Sequence, residues 1–142
     1  MACSYGTNFV VVNASDQIIE VQYVFKKPSD PFPPMQMPPI PPVIKTVSPL
    51  QQQITWRELS PSQYAFDSNS RRLIVSLKPG EALRVEQRNL RDEKVDATHN
   101  ATNFFIEEIE VKGSYGEIRL QGEQVRQSFL AESKSQYTLT YR

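Results

Sequence analysis

Residues 28–42, PSDPFPPMQMPPIPP, hold eight of the eleven prolines in the chain. Proline lacks a backbone N–H and fixes φ at about −65°, so this segment can join neither a helix interior nor a sheet interior. It is expected to run as an extended, polyproline-like arm. Whatever folds must be assembled from the residues on either side of it. At three residues per turn, Phe32 and Met35 share one line of the arm, and Met37, Ile40 and Val43 share another. These apolar stripes either lie down on the domain's own sheet, which is the expected arrangement, or face a partner.

The flanks read as short strands. Residues 7–13 are β-branched and aromatic and end at Asn13-Ala14-Ser15-Asp16, a turn sequence. In residues 17–26, Ile19, Val21, Tyr23 and Phe25 alternate against Glu20 and Gln22, the signature of a half-buried strand. The short turn makes these two an antiparallel hairpin. Residues 43–47 and 53–57 read as strands split by Ser48-Pro49-Leu50, and Tyr64 and Phe66 alternate weakly. Leu73, Val75 and Leu77 share a face, as do Leu83 and Val85. Between them Lys78-Pro79-Gly80-Glu81 suits a type II turn, which splays a tight hairpin and fits an arch between two sheets.

Residues 89–102 are polar and without period, and are expected as a surface loop. Residues 104–112 return to strand with a parity slip that a bulge near Glu107-Glu108 would reconcile. Gly113-Ser114-Tyr115-Gly116 turns the chain into a hairpin with residues 117–121. Residues 122–132 are the one plausible helical turn, with Val125 and Phe129 spaced to cap one end of the fold. Residues 136–142 end in a strand with Tyr137, Leu139 and Tyr141 inward. Short strands with regular turn signals predict a single all-β antiparallel sandwich over residues 1–142, with at most one short helix.

Sixteen basic and sixteen acidic residues cancel, so no basic footprint points to nucleic acid or to an anionic membrane surface. No stretch approaches the ~18–20 apolar residues of a transmembrane helix. The single histidine, His99, sits in the polar loop with no nucleophile motif beside it, and Cys3 lies far from it in sequence. No phosphate-binding glycine loop and no zinc spacing occur, so no cofactor is expected. Glu107, Glu108 and Glu110 form the one acidic cluster and read as the solvated side of an edge strand.

Several segments resemble known families. Ala2-Cys3-Ser4 is similar to the end of a bacterial lipobox, which implies that Cys3 is an acylated first residue and lipid anchor, with residues 1–6 as a tether. FVVVNASDQIIEVQYVF (residues 9–25) resembles the opening hairpin of small envelope β-sandwich proteins. LIVSLKPGEALRV (residues 73–85) is similar to the strand–Pro-Gly–strand segment of fibronectin-type and immunoglobulin-like sandwiches. Together they imply an immunoglobulin-like sandwich, in the broad sense, on a small bacterial lipoprotein. Its expected role is non-enzymatic: binding another envelope protein or a surface ligand, with Phe32, Met35, Met37, Ile40 and Val43 as the partner-facing residues where the arm stands free of its own sheet. Membrane contact is then through the lipid alone, and a cytoplasmic location is the alternative. The second functional reading, a periplasmic small-ligand or Cu(I) carrier, comes from Met35-Gln36-Met37, which resembles the Met-x-Met element of periplasmic copper carriers. Thioethers favour Cu(I), and His99 would be the remaining ligand.

Overall fold

The computed structural model describes residues 5–26, 42–46, 56–90, 106–133 and 136–142. Among these residues, eleven strands and one short α-helix run in the order β1 (Tyr5–Asn13), β2 (Ile19–Phe25), β3 (Val43–Thr46), β4 (Arg57–Glu58), β5 (Tyr64–Asp67), β6 (Arg72–Leu77), β7 (Glu81–Leu90), β8 (Ile106–Gly113), β9 (Gly116–Gln121), α1 (Glu123–Gln127), β10 (Leu130–Ser133) and β11 (Gln136–Tyr141). They form two open sheets. One has the order β10-β11-β1-β7-β3-β4 and the other β5-β6-β2-β8-β9. The chain is thus an all-β sandwich. Its pairings are antiparallel except one: β1 and β11, the first and last strands, run parallel with Asn8 opposite Gln136 and Asn13 opposite Tyr141.

The core is the layer between the sheets. Phe9, Val11, Leu83, Val85, Ile44 and Leu139 meet Ile19, Val21, Tyr23, Phe25, Leu73, Val75, Leu77, Ile109 and Val111 there. The period-two pattern of β2 therefore points as its sequence predicts. Val125 and Phe129 of the α1 segment plug one end, with Phe129 set edge-on to Phe9 at 5.9 Å. Arg126 lies over the rings of Phe9 and Tyr137 and fastens this plug to the six-stranded sheet.

The expected hairpin of β1 with β2 does not form. β1 lies in one sheet and β2 in the other, so the connection is an arch. Both sides of each strand are already occupied: β1 by β7 and β11, β2 by β6 and β8. The cause is legible in β1. Phe9, Val10 and Val11 are all fully buried, and such a continuous apolar run belongs to a central strand with both faces covered. Asn13 holds the arch. Its Nδ2 donates to the carbonyls of Gln17 (2.8 Å) and Leu77 (3.0 Å), and its Oδ1 accepts the Ser15 N–H (3.0 Å). The Gly80 N–H donates to the Asn13 carbonyl, joining this arch to the next one.

That next arch is the Pro79-Gly80 turn, which does pass from the five-stranded sheet to the six-stranded one. Gly80 has φ of 81°, and the Glu81 N–H closes the turn on the Lys78 carbonyl at 3.0 Å. The parity slip resolves as a bulge: Val24 faces Glu108 and Phe25 faces Ile106, leaving Glu107 unopposed. Two further expectations are corrected. Asn89 and Leu90 extend β7 instead of opening the polar loop. The strand carrying Glu107, Glu108 and Glu110 is not an edge, because β9 pairs along its outer side. Of the expected strand at 53–57 only Trp56 and Arg57 are described, and Arg57 opens β4, which pairs with β3 at Val43–Glu58 and Ile44–Arg57; residues 47–55 lie outside the described residues.

Candidate partner-binding edge

Among the described residues the two open sheets present four edges, and three of them are blunted. β4 has two residues, β5 has four behind a proline-led 3-10 turn, and β10 has four with an irregular register against β11. β9 differs. Its six residues pair with β8 in an unbroken register, from Gly113–Gly116 to Glu108–Gln121. A regular edge that no other described strand covers is a template for another strand.

The hairpin closes on Gly113 and Gly116 across a two-residue turn. Hydrogen-bonded and open pairs alternate outward from there, so the backbone groups of Glu117, Arg119 and Gln121 point away from β8. Their side chains share the outer face of the sheet, while Ile118 and Leu120 point inward, half-buried against the core. Gly122, with φ of 59°, ends the strand, and its N–H donates to the Glu107 carbonyl at 3.0 Å. A shallow cleft of ≈ 470 Å³ opens there between Glu107, Glu108, Gln121 and Gly122.

The other end of β9 is clamped. The Tyr141 hydroxyl, from the six-stranded sheet, donates to the Gly116 carbonyl (2.9 Å) and accepts the Tyr115 N–H (3.1 Å). This approach requires a glycine at 113, where a Cβ would fall 2.5 Å from that hydroxyl. Tyr115 in turn donates its phenol to Asp16 Oδ1 at 2.6 Å, tying the turn to the β1–β2 arch and raising the phenol's pKa. The clamp leaves two large apolar side chains at this tip in solvent, Ile18 at 61% and Tyr115 at 60% exposure.

Charge on the outer face centres on Glu110, whose side chain is mostly buried. Lys112 Nζ lies 2.9 Å away and Arg119 3.6 Å, and Arg119 also pairs with Glu117. The hydrogen bond from Lys112 holds the Glu110 carboxyl below its ordinary range, and the same bond raises Lys112. Glu117 raises Arg119.

The opposite face of the molecule carries a different cluster. Lys45 Nζ and the Arg84 guanidinium sit 4.6 and 5.1 Å from the Trp56 ring centre, and Lys45 donates to Gln136 Oε1 at 3.1 Å. Burial lowers the pKa of both cations. Their shared aromatic partner ties β3, β7 and β11 to the residue before β4, which is a structural role.

Of the expected anchor, partner-facing and metal-ligating residues, Val43 alone is described, as the buried first residue of β3 opposite Arg84 and Glu58. Cys3, Phe32, Met35, Met37, Ile40 and His99 lie outside the described residues. Among the described residues no three His, Cys, Asp or Glu side chains are grouped to hold a metal, and no helix is long and apolar enough to cross a membrane. Sequence reasoning missed the β9 edge and its tyrosine clamp. The hairpin itself was legible from its paired glycines, but period two is the same for an edge strand and an inner one. No family model matches the chain, and no curated protein or solved structure matches it.

Proposed function

We propose that this chain is a non-enzymatic interaction module of the cell envelope that accepts an extended strand of a partner protein along β9. The observation that carries the reading is the edge itself: six residues in unbroken register, clamped at the tip, with outward-facing backbone donors and acceptors. An added strand would satisfy those groups and cover the half-buried Ile118 and Leu120. Tethering through Cys3 rests on the Ala2-Cys3-Ser4 motif. β1 runs from Tyr5 to Asn13, and the arch that follows it meets the Tyr115 tip through Asp16.

Arg119→Pro tests the edge. The Arg119 N–H faces away from β8, so proline costs no ladder bond but blocks an incoming strand. The variant is expected to melt like wild type and to lose the envelope protein that wild type retains from membrane extract. Equal retention by both would exclude β9 as the docking edge. The anchor is tested separately: a labelled fatty acid should be incorporated by the native gene product and not by Cys3→Ala.

A further inference from the structure

We infer that the strand received by β9 is the β9 of a second copy of this chain, in a two-fold symmetric antiparallel pair centred on Ile118. This inference rests on the edge reading above and names its occupant. A two-fold pair of identical edges must be self-complementary, and only some registers keep the outward-pointing backbone groups facing each other. Those registers place odd-numbered residues opposite odd-numbered ones. Centring on Glu117 or on Arg119 sets each opposite its own copy, like charge against like charge. Centring on Ile118 sets Glu117 opposite Arg119 of the partner subunit and Arg119 opposite Glu117 of the partner subunit. Both pairs then exchange backbone hydrogen bonds and opposite charges at once.

Side-chain placement agrees with this register. The two Ile118 side chains, each half-buried at the sheet margin, come together on the inner face. On the outer face Arg119 lies 3.6 Å from Glu110 and also pairs with Glu117 of its own chain, a contact that the cross-pair replaces. The alternation of sign is what sets this edge apart from a protected one. A protective edge carries charge that repels its own copy, whereas Glu117 and Arg119 repel when the pair is centred on either of them and attract when it is centred on Ile118. The result joins the two five-stranded sheets into one continuous sheet. The contact is a single strand pair, so the dimer is expected to be reversible and weakened by salt.

The test is charge exchange, read by sedimentation equilibrium. Wild type should shift from monomer toward dimer with rising concentration. Glu117→Arg and Arg119→Glu should each weaken self-association about tenfold or more, since each turns both attractive pairs repulsive. A one-to-one mixture of the two variants should dimerise again, because one chain then presents two guanidinium groups along this edge and the other presents two carboxylates. Wild type that stays monomeric at millimolar concentration would overturn the inference, as would a mixture no more associated than its components. Circular dichroism melts of each variant confirm that it is folded before association is scored. If wild type is monomeric yet Arg119→Pro still loses an envelope protein, the second copy is wrong and the edge reading stands. If wild type dimerises and Arg119→Pro dimerises equally, both fail.

Discussion

Tyr23 sits fully buried in the core, and its hydroxyl has no hydrogen-bond partner among the described residues. Burial pushes its pKa up, and an unsatisfied buried hydroxyl costs on the order of 1–3 kcal/mol. Tyr23→Phe should therefore stabilise the fold by about 1 kcal/mol, seen as a rise in Tm of roughly 3 °C. Tyr141 is the opposite case. Its hydroxyl is fully used, bridging the Tyr115 N–H and the Gly116 carbonyl. Tyr141→Phe should cost about 1–2 kcal/mol in urea unfolding, because both backbone groups lose their partner in a half-buried place. Nothing in the sequence distinguishes these two tyrosines: each occupies an inward position on an alternating strand. Only the groups opposite them decide which hydroxyl is a liability and which is a clamp.

The β8–β9 ladder is where elements explain what residues cannot. By sequence Glu110 is one member of a solvated acidic cluster, yet it is mostly buried because Lys112 and Arg119 fold over it. Hydrogen bonding from Lys112 depresses its pKa in the folded state below the unfolded value of about 4.3. The carboxylate form is thus stabilised by folding, and its contribution is complete above the unfolded pKa. It is lost as pH falls through the lower, folded pKa. Stability should fall with pH below about 4.3, and Glu110→Gln should flatten that part of the urea-midpoint profile while lowering stability at neutral pH. An unchanged acid profile in the variant would exclude Glu110 as a contributor. At this scale the turn chemistry was the most legible part of the sequence. Pro79-Gly80 gave its arch, the paired glycines their hairpin, and the parity slip its bulge, because each depends on local backbone limits.

At the scale of the molecule, the outer face of the six-stranded sheet is buried at its centre, though Thr140 on the same face is exposed. Val10 and Ala82, which alternate with core residues on β1 and β7, are fully buried there. Val10→Asp should therefore destabilise by about 3 kcal/mol or more, as a core substitution would, whereas a solvated outer face would tolerate it. The sequence alone determined the class of fold, most of the strands though not β10, which lies in the stretch expected to be helical, the end plug of Val125 and Phe129, and which face of β2 turns inward. These follow from period, propensity and turn residues, which act within a few positions of one another. Tertiary structure alone decided that β1 and β2 part into different sheets, that the first and last strands lie parallel, and that β9 is the open edge. Those facts depend on which strands compete for the same backbone groups across the whole chain. Period two does not encode a neighbour.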